Sequence, residues 1–221
     1  MKRLSTGIEG LDQILHGGLV AGRVYLVHGQ SGTGKTTLGF HFLAAGDAKT
    51  GSNLLITFDQ PENHLRSDAR TLGLNIDHAV VLDLTPTPET FSAMQSYDIF
   101  SPAEIEREPM TAEIARAIRD THVQRIFVDG FDHFRQLATD AFNYRRLIQS
   151  FFRFATHDGA TVLVASESRD CLGDADAVIH LGLQDSGRNI RVLKYRGSDF
   201  QPGNHSMRLA AHGIQVFPNA A

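Results

Sequence analysis

The chain has a single cysteine, Cys171, among 221 residues. An intrachain disulfide is impossible, and a lone reduced thiol fits a cytoplasmic setting. No apolar run approaches the roughly eighteen residues that a membrane span requires. Two basic residues follow Met1 without an apolar segment after them, so the start does not read as a signal peptide. An excess of positive charge is missing as well: 21 Lys and Arg stand against 25 Asp and Glu, a formal net charge of −4. No global field draws such a chain onto nucleic acid or an acidic membrane, although a local basic patch stays open. None of the 11 histidines falls in an H-x-x-x-H or Cys/His pattern with metal-ligand spacing, so no zinc site is expected. A nucleophile elbow and a repeat of solenoid period are absent too. What remains is ordinary globular composition, 42% hydrophobic and 21% charged. Its length suits one sizeable α/β domain over residues 1–221, soluble and cytoplasmic.

Against that background Gly29-Gln30-Ser31-Gly32-Thr33-Gly34-Lys35-Thr36 matches the phosphate-loop pattern G-x-x-x-x-G-K-S/T in full. Residues 23–28, ahead of it, are a β-branched and aromatic run that reads as a buried strand. Thr37-Leu38-Gly39-Phe40-His41-Phe42-Leu43, behind it, opens a helical pattern. Glycines at 29, 32 and 34 let the backbone turn its N–H groups inward toward phosphate oxygens. The following helix start adds the positive end of its dipole. Lys35 suits the β- and γ-phosphates, and the Thr36 hydroxyl suits Mg²⁺. With Ser31, Thr33 and Thr37 these residues form the expected nucleotide-binding set.

Two further strands end in acids. Residues 53–58 run into Asp59-Gln60-Pro61-Glu62, and a carboxylate at the carboxyl end of a parallel strand points into the ligand crevice. There it can orient or deprotonate the water that attacks a γ-phosphate. The alternative, that Asp59 or its neighbour only caps a helix over 61–73, stays open. Residues 125–130 are an apolar strand closing on Asp129-Gly130, the Walker B arrangement, so Asp129 is expected to hold Mg²⁺ with Thr36. Residues 79–84 read as a third strand. Residues 85–110, with four prolines and little periodicity, read as a surface excursion that can serve a partner. Thr111 is expected to cap a helix running to His122. A helix over 139–157 carries Phe142, Leu147, Phe151, Phe152 and Phe154, all read as core-facing. A strand at 160–165 leads to Ser166-Glu167. Short alternating runs at 176–181, 189–198, 205–209 and 213–217 read as an antiparallel extension.

Residues 4–22 place Leu11, Ile14 and Leu15 at helical spacing, broken by Gly17-Gly18. From Ser5-Thr6-Gly7-Ile8-Glu9-Gly10-Leu11-Asp12 through Gly17-Gly18-Leu19 to Gly22, the stretch closely resembles the segment that leads into the Walker A loop of RecA-like ATPases of the KaiC/RadA group. Lys194-Tyr195-Arg196-Gly197-Ser198 resembles the K-x-R-G-S hairpin of the same family. The resemblance implies a RecA-like P-loop fold, a mostly parallel central sheet flanked by helices with an antiparallel C-terminal extension. It implies ATP and Mg²⁺ as cofactors and a homo-oligomer, a hexameric ring, with active sites at subunit boundaries. Lys194 and Arg196 would then act on the neighbour's nucleotide as an arginine finger does. Without the resemblance they are two basic residues on a solvated hairpin. Relatives place a polar residue that senses the γ-phosphate near Ser166 and Glu167. They also carry a Glu-Glu pair where this chain has Asp59 and Gln60. Aspartate is one methylene shorter, and glutamine orients water without acting as a base, so slow hydrolysis is expected. With one phosphate loop, the chain resembles one domain of the family rather than its tandem members.

The first functional reading is therefore a KaiC-like ATPase that uses slow Mg²⁺-dependent hydrolysis as a regulatory switch toward an unidentified protein partner. A second is a RecA-paralogue DNA-binding accessory of recombination. Its DNA loops would be 131–140 and 168–174, with Arg135 and Arg169 as their sole Arg or Lys and acids beside the latter, so DNA is a poor partner. A third is a hydrolysis-deficient, nucleotide-gated interaction protein. A small-molecule kinase would want an arginine-rich lid, and 85–110 holds only Arg107. Autophosphorylation stays open.

Overall fold

The computed structural model describes residues 1–46, 52–86, 102–184 and 187–219, with the side chains of 102–107 set aside. The phosphate-loop strand, β3 (Val24–His28), has every residue buried, as a central parallel strand requires. Beside it run β7 (Thr161–Ser166) and β8 (Ala177–Gln184), then β6 (Val123–Asp129), β4 (Ser52–Thr57) and β5 (Ala79–Asp83). β9 (Gly187–Tyr195), β10 (His205–Ala210) and β11 (Gly213–Phe217) complete a nine-stranded sheet in the order β11-β10-β9-β8-β3-β7-β6-β4-β5. Pairing is parallel from β8 to β5 and antiparallel from β8 to β11. This is the fold expected of a RecA-like P-loop NTPase.

Helices cover both faces of the parallel part. On one face Leu11 and Ile14 of α1 (Glu9–Ile14), Leu38, Phe40 and Leu43 of α2 (Lys35–Ala44) and Leu65 of α3 (Glu62–Thr71) join Tyr25, Val27 and Phe127 in one core. On the other, Ile114 and Ile118 of α4 (Pro102–Asp120) and Ile148, Phe151 and Phe152 of α5 (Ala141–Thr156) pack on Leu26, Ile126 and Val164. Fully burying each such side chain is worth about 1.5–3 kcal/mol, which makes these two layers the main stabilising term.

Three expectations change. Residues 87–101 of the supposed excursion lie outside the described residues, but from Pro102 onward the chain is already helical. Pro102 takes the first helical position, where a missing N–H costs nothing, and Pro109 is accommodated inside α4. Thr111 is thus an interior residue rather than a cap, its hydroxyl donating to the Glu108 carbonyl at 3.1 Å. In α5, Phe142 and Phe154 are 70% and 36% exposed rather than core-facing. The stripe of Tyr144, Ile148, Phe151, Phe152 and Ala155 turns inward with Leu147 packed against it, and the other two rings lie beside Arg146 and Arg119. A short antiparallel pair, β1 (Arg3–Leu4) with β2 (Leu19–Val20), was not expected from the sequence.

The first residues are pinned by side chains. Asp12 accepts from the Ser5 and Thr6 hydroxyls and from the Thr6 N–H. Arg125 of β6, only 4% exposed, donates to the carbonyls of Ser5, Phe42 and Ala45, so it ties the N-terminal segment to the C-terminal end of α2. Burial pulls its pKa down to about 10, so it stays charged at neutral pH. Replacing Arg125 with Ala removes three charge-assisted bonds and leaves buried carbonyls bare. The expected loss is about 3 kcal/mol, read from the midpoint of urea unfolding.

Candidate active site

The carboxyl ends of the parallel strands finish level with one another. Thr57 pairs with Asp129, Val128 with Val164, and His28 with Ser166. The loops that leave them surround a cleft of about 1220 Å³ at that end of the sheet. Ser31, Gly32, Gly34, Lys35, Thr36 and Thr37 line one side of it, and Asp59, Gln60, Asp129 and Glu167 the other. Gly29 and Thr33 lie behind the lining: the Gly29 N–H donates to the Ser166 carbonyl at 3.4 Å, and the buried Thr33 hydroxyl donates to the Gln30 carbonyl at 2.8 Å. Gly34, at φ 105°, opens α2, whose N-terminus therefore faces the cleft.

Lys35 Nζ donates to the Gly29 and Gln30 carbonyls at 2.8 and 3.0 Å and to Glu167 Oε1 at 3.1 Å. The Thr36 hydroxyl donates to Asp129 at 3.1 Å. Burial pushes the Asp129 carboxyl up to about 6; the Thr36 bond opposes the rise and the charge of Asp59 adds to it. A hydroxyl and a carboxylate side by side are hard oxygen donors, the set that fits Mg²⁺. Backbone N–H groups and Lys35 beside them fit a polyphosphate. Asp59 does not cap α3. The N–H of Glu62 is met by Asp83 Oδ2 at 2.8 Å, and Asp59 stays in the cleft.

Lys194 and Arg196 are not brought to this cleft. Tyr195 pairs with Ala177 and Ala177 with Tyr25, so the two cations flank the amino end of the parallel strands, opposite the phosphate loop. Lys194 Nζ holds the carbonyls of Leu172, Gly173 and Ala175, and Arg196 the Gly173 carbonyl. Burial and the neighbouring Arg196 lower the Lys194 pKa.

The family model for the KaiC ATPases matches residues 4–221. The chain belongs to the KaiC family. Similar proteins include the KaiC circadian clock oscillator proteins of Parasynechococcus marenigrum, 29% identical over 100% of this chain and 46% of the relative, and of Synechococcus elongatus, 30% identical over 99% and 45%. That of a Picosynechococcus strain is 30% identical over 100% and 45%. The chain thus spans about half the length of the curated KaiC relatives it matches. Among the described residues no helix is long and apolar enough to cross a membrane.

Two residues of this KaiC domain's cleft escaped the sequence reading. Asp132, three residues past Asp129, accepts from the Ser166 hydroxyl at 2.6 Å and from the N–H groups of Glu167 and Ser168 at 2.7 and 3.2 Å. It clamps the loop after β7 to the loop after β6. His133 lies within hydrogen-bonding distance of Asp59, Nε2 to Oδ1 at 2.7 Å. Neither had a sequence signal, because each contact joins loops that only the sheet register brings together.

Two outcomes follow from these charges. Asp129 holds its proton more tightly folded than unfolded, so its contribution makes stability fall as pH rises from about 4 to about 6 and leaves a cost above that range. Asp129→Asn should therefore raise metal-free stability at pH 7 by up to about 3 kcal/mol in urea titrations, while weakening Mg²⁺-nucleotide binding. The half-exposed Glu167 competes with phosphate for Lys35. Glu167→Gln should tighten ATP binding by up to about fivefold in equilibrium titration.

Proposed function

We propose that this chain binds ATP with Mg²⁺ and hydrolyses it slowly within a ring of like subunits, the nucleotide state serving as a regulatory switch. The observation that carries this reading is the single cleft joining the phosphate loop, the Thr36–Asp129 pair and Asp59. Lys35 and the loop N–H groups would hold the phosphates in line, and Thr36 and Asp129 would hold Mg²⁺. When bound, that ion offsets the charge developing on the transferred phosphoryl group. Asp59 or Gln60 would orient the attacking water. The chain lacks the Glu-Glu pair implied by its family at this point, which supports a slow step.

Two observations support assembly. Lys194 and Arg196 lie at the far end of the sheet from their own cleft, as expected of groups that complete a neighbour's site. β9 to β11 also bury only one face. Ile190, Val192, Met207, Ile214 and Val216 point into the core, whereas Leu193 and Phe217 on the reverse are 40% and 45% exposed, with Arg208 stacked over Phe217. The whole-protein roles of the clock relatives, and any downstream partner, enter only as the switch reading itself.

Phosphate release from ATP across a range of protein concentrations, with Lys35→Ala as blank, tests the proposal. Specific activity should rise as the chain assembles, and Lys194→Ala with Arg196→Ala should remove the rise. Nucleotide binding with release no greater than the blank would instead favour a nucleotide-gated scaffold, for which Gln60 is the supporting feature.

A further inference from the structure

The Asp59–His133 contact, like the Asp132 clamp, lies in the cleft outside the phosphate loop and the Walker B strand, and it engages the carboxylate placed to meet water. Three features build it. Gly130 has φ 73°, and a Cβ there would stand 2.7 Å from Asp59 Cγ and Oδ2, so only glycine lets the carboxylate settle against the end of β6. The 3₁₀ turn Phe131–Arg135 then folds back, its His133 N–H donating to the Gly130 carbonyl at 3.0 Å. Finally, the His133 ring lies flat on Phe58, with centroids 5.8 Å apart and planes 8° from parallel, while Phe58 is itself braced edge-on by Phe134. Phe58 and Asp59 are consecutive, so one stack fixes the imidazole and the backbone that carries the acid.

A carboxylate can only accept, so His133 Nε2 is the donor to Oδ1. That bond selects one rotamer of Asp59 and leaves its other lone pairs for water. A short acid on a strand terminus is useful as a water acceptor only where it is held still, and a misplacement of about 1 Å can cost about a hundredfold in rate.

We infer that His133 is a positioning residue for hydrolysis, holding Asp59 over Gly130 as the water-orienting carboxylate, so that an Asp–His couple stands where relatives use two acids. This rests on the ATPase reading above. His133 touches the reaction only through Asp59.

The test compares steady-state phosphate release, at saturating assembly, for the wild-type chain, His133→Ala, His133→Gln, Asp59→Asn and the double variant Asp59→Asn/His133→Ala. Affinity is read in parallel with a fluorescent ATP analogue plus Mg²⁺, and folding by thermal unfolding. His133→Ala should lower kcat about tenfold or more, with KM and analogue affinity within twofold of wild type. His133→Gln, whose Nε2 can reach the same oxygen, should recover a large part of the rate. On the Asp59→Asn background the His133→Ala change should alter kcat less than twofold. An unchanged kcat in His133→Ala, a loss confined to KM or affinity, no recovery in His133→Gln, or a full second loss on the Asp59→Asn background would each overturn the positioning role. If wild-type release does not exceed the Lys35→Ala blank, the ATPase reading falls together with this one, an outcome separate from the four above. Should His133→Ala fail to fold, the same decision is read from His133→Gln and the Asp59 variants: Asp59→Asn retaining wild-type kcat then overturns the role.

Discussion

The whole site depends on one constraint, the parallel register that ends β3, β4, β6 and β7 at a common level. Backbone hydrogen bonds set that register, and a one-residue slip is costly because it would swap the side chains fitted to one helical layer with those fitted to the other. Once it is set, the residue after each strand has nowhere to go but the crevice. Lys35, Asp59, Asp129 and Glu167 meet there although more than a hundred positions separate the first from the last. The Thr36–Asp129 bond is then a short-range lock, joining the start of α2 to the end of β6 across an alignment already made.

Much of this was legible in the sequence. The phosphate loop, the apolar strand before Asp129 and the alternating C-terminal runs each carry their signal within a few consecutive residues, and local signals survive tertiary context. The clamp at Asp132 and the Asp59–His133 pair carry none, because their meaning lies in which loops become neighbours. Phe142 misleads for a related reason: an aromatic at helical spacing looks inward until the phase of the helix is known, and α5 turns Phe151 and Phe152 to the sheet instead. The prolines of 85–110 suggest an excursion, yet Pro102 opens the helix in which Pro109 sits.

The lead-in segment acquires a physical meaning that its pattern alone did not convey. The Tyr195 hydroxyl accepts from the Val20 N–H at 2.9 Å and donates to the Gly18 carbonyl at 2.9 Å, with Tyr25 packed edge-on beside it. Arg3 reaches the Gly18 carbonyl and the Ser198 hydroxyl. Gly18, Val20 and Tyr195, the residue between Lys194 and Arg196, thus form one hydrogen-bonded unit. Lys194 and Arg196 in turn grip the far end of the loop whose near end, Glu167 and Ser168, is held by Asp132. A single loop of the chain therefore touches its own cleft at one end and the proposed finger at the other.

The place of β3 in the sheet sets an order of events on the ribosome. Its two neighbours, β7 and β8, are encoded more than 130 residues later, so the strand that carries the phosphate loop cannot reach its native pairing until residues past 160 have emerged. During that interval a strand destined for full burial waits without its native partners. Such long-range closure slows folding and leaves the nascent segment in need of shielding. The crevice at the carboxyl ends of the strands is likewise complete only after β7 has joined β3.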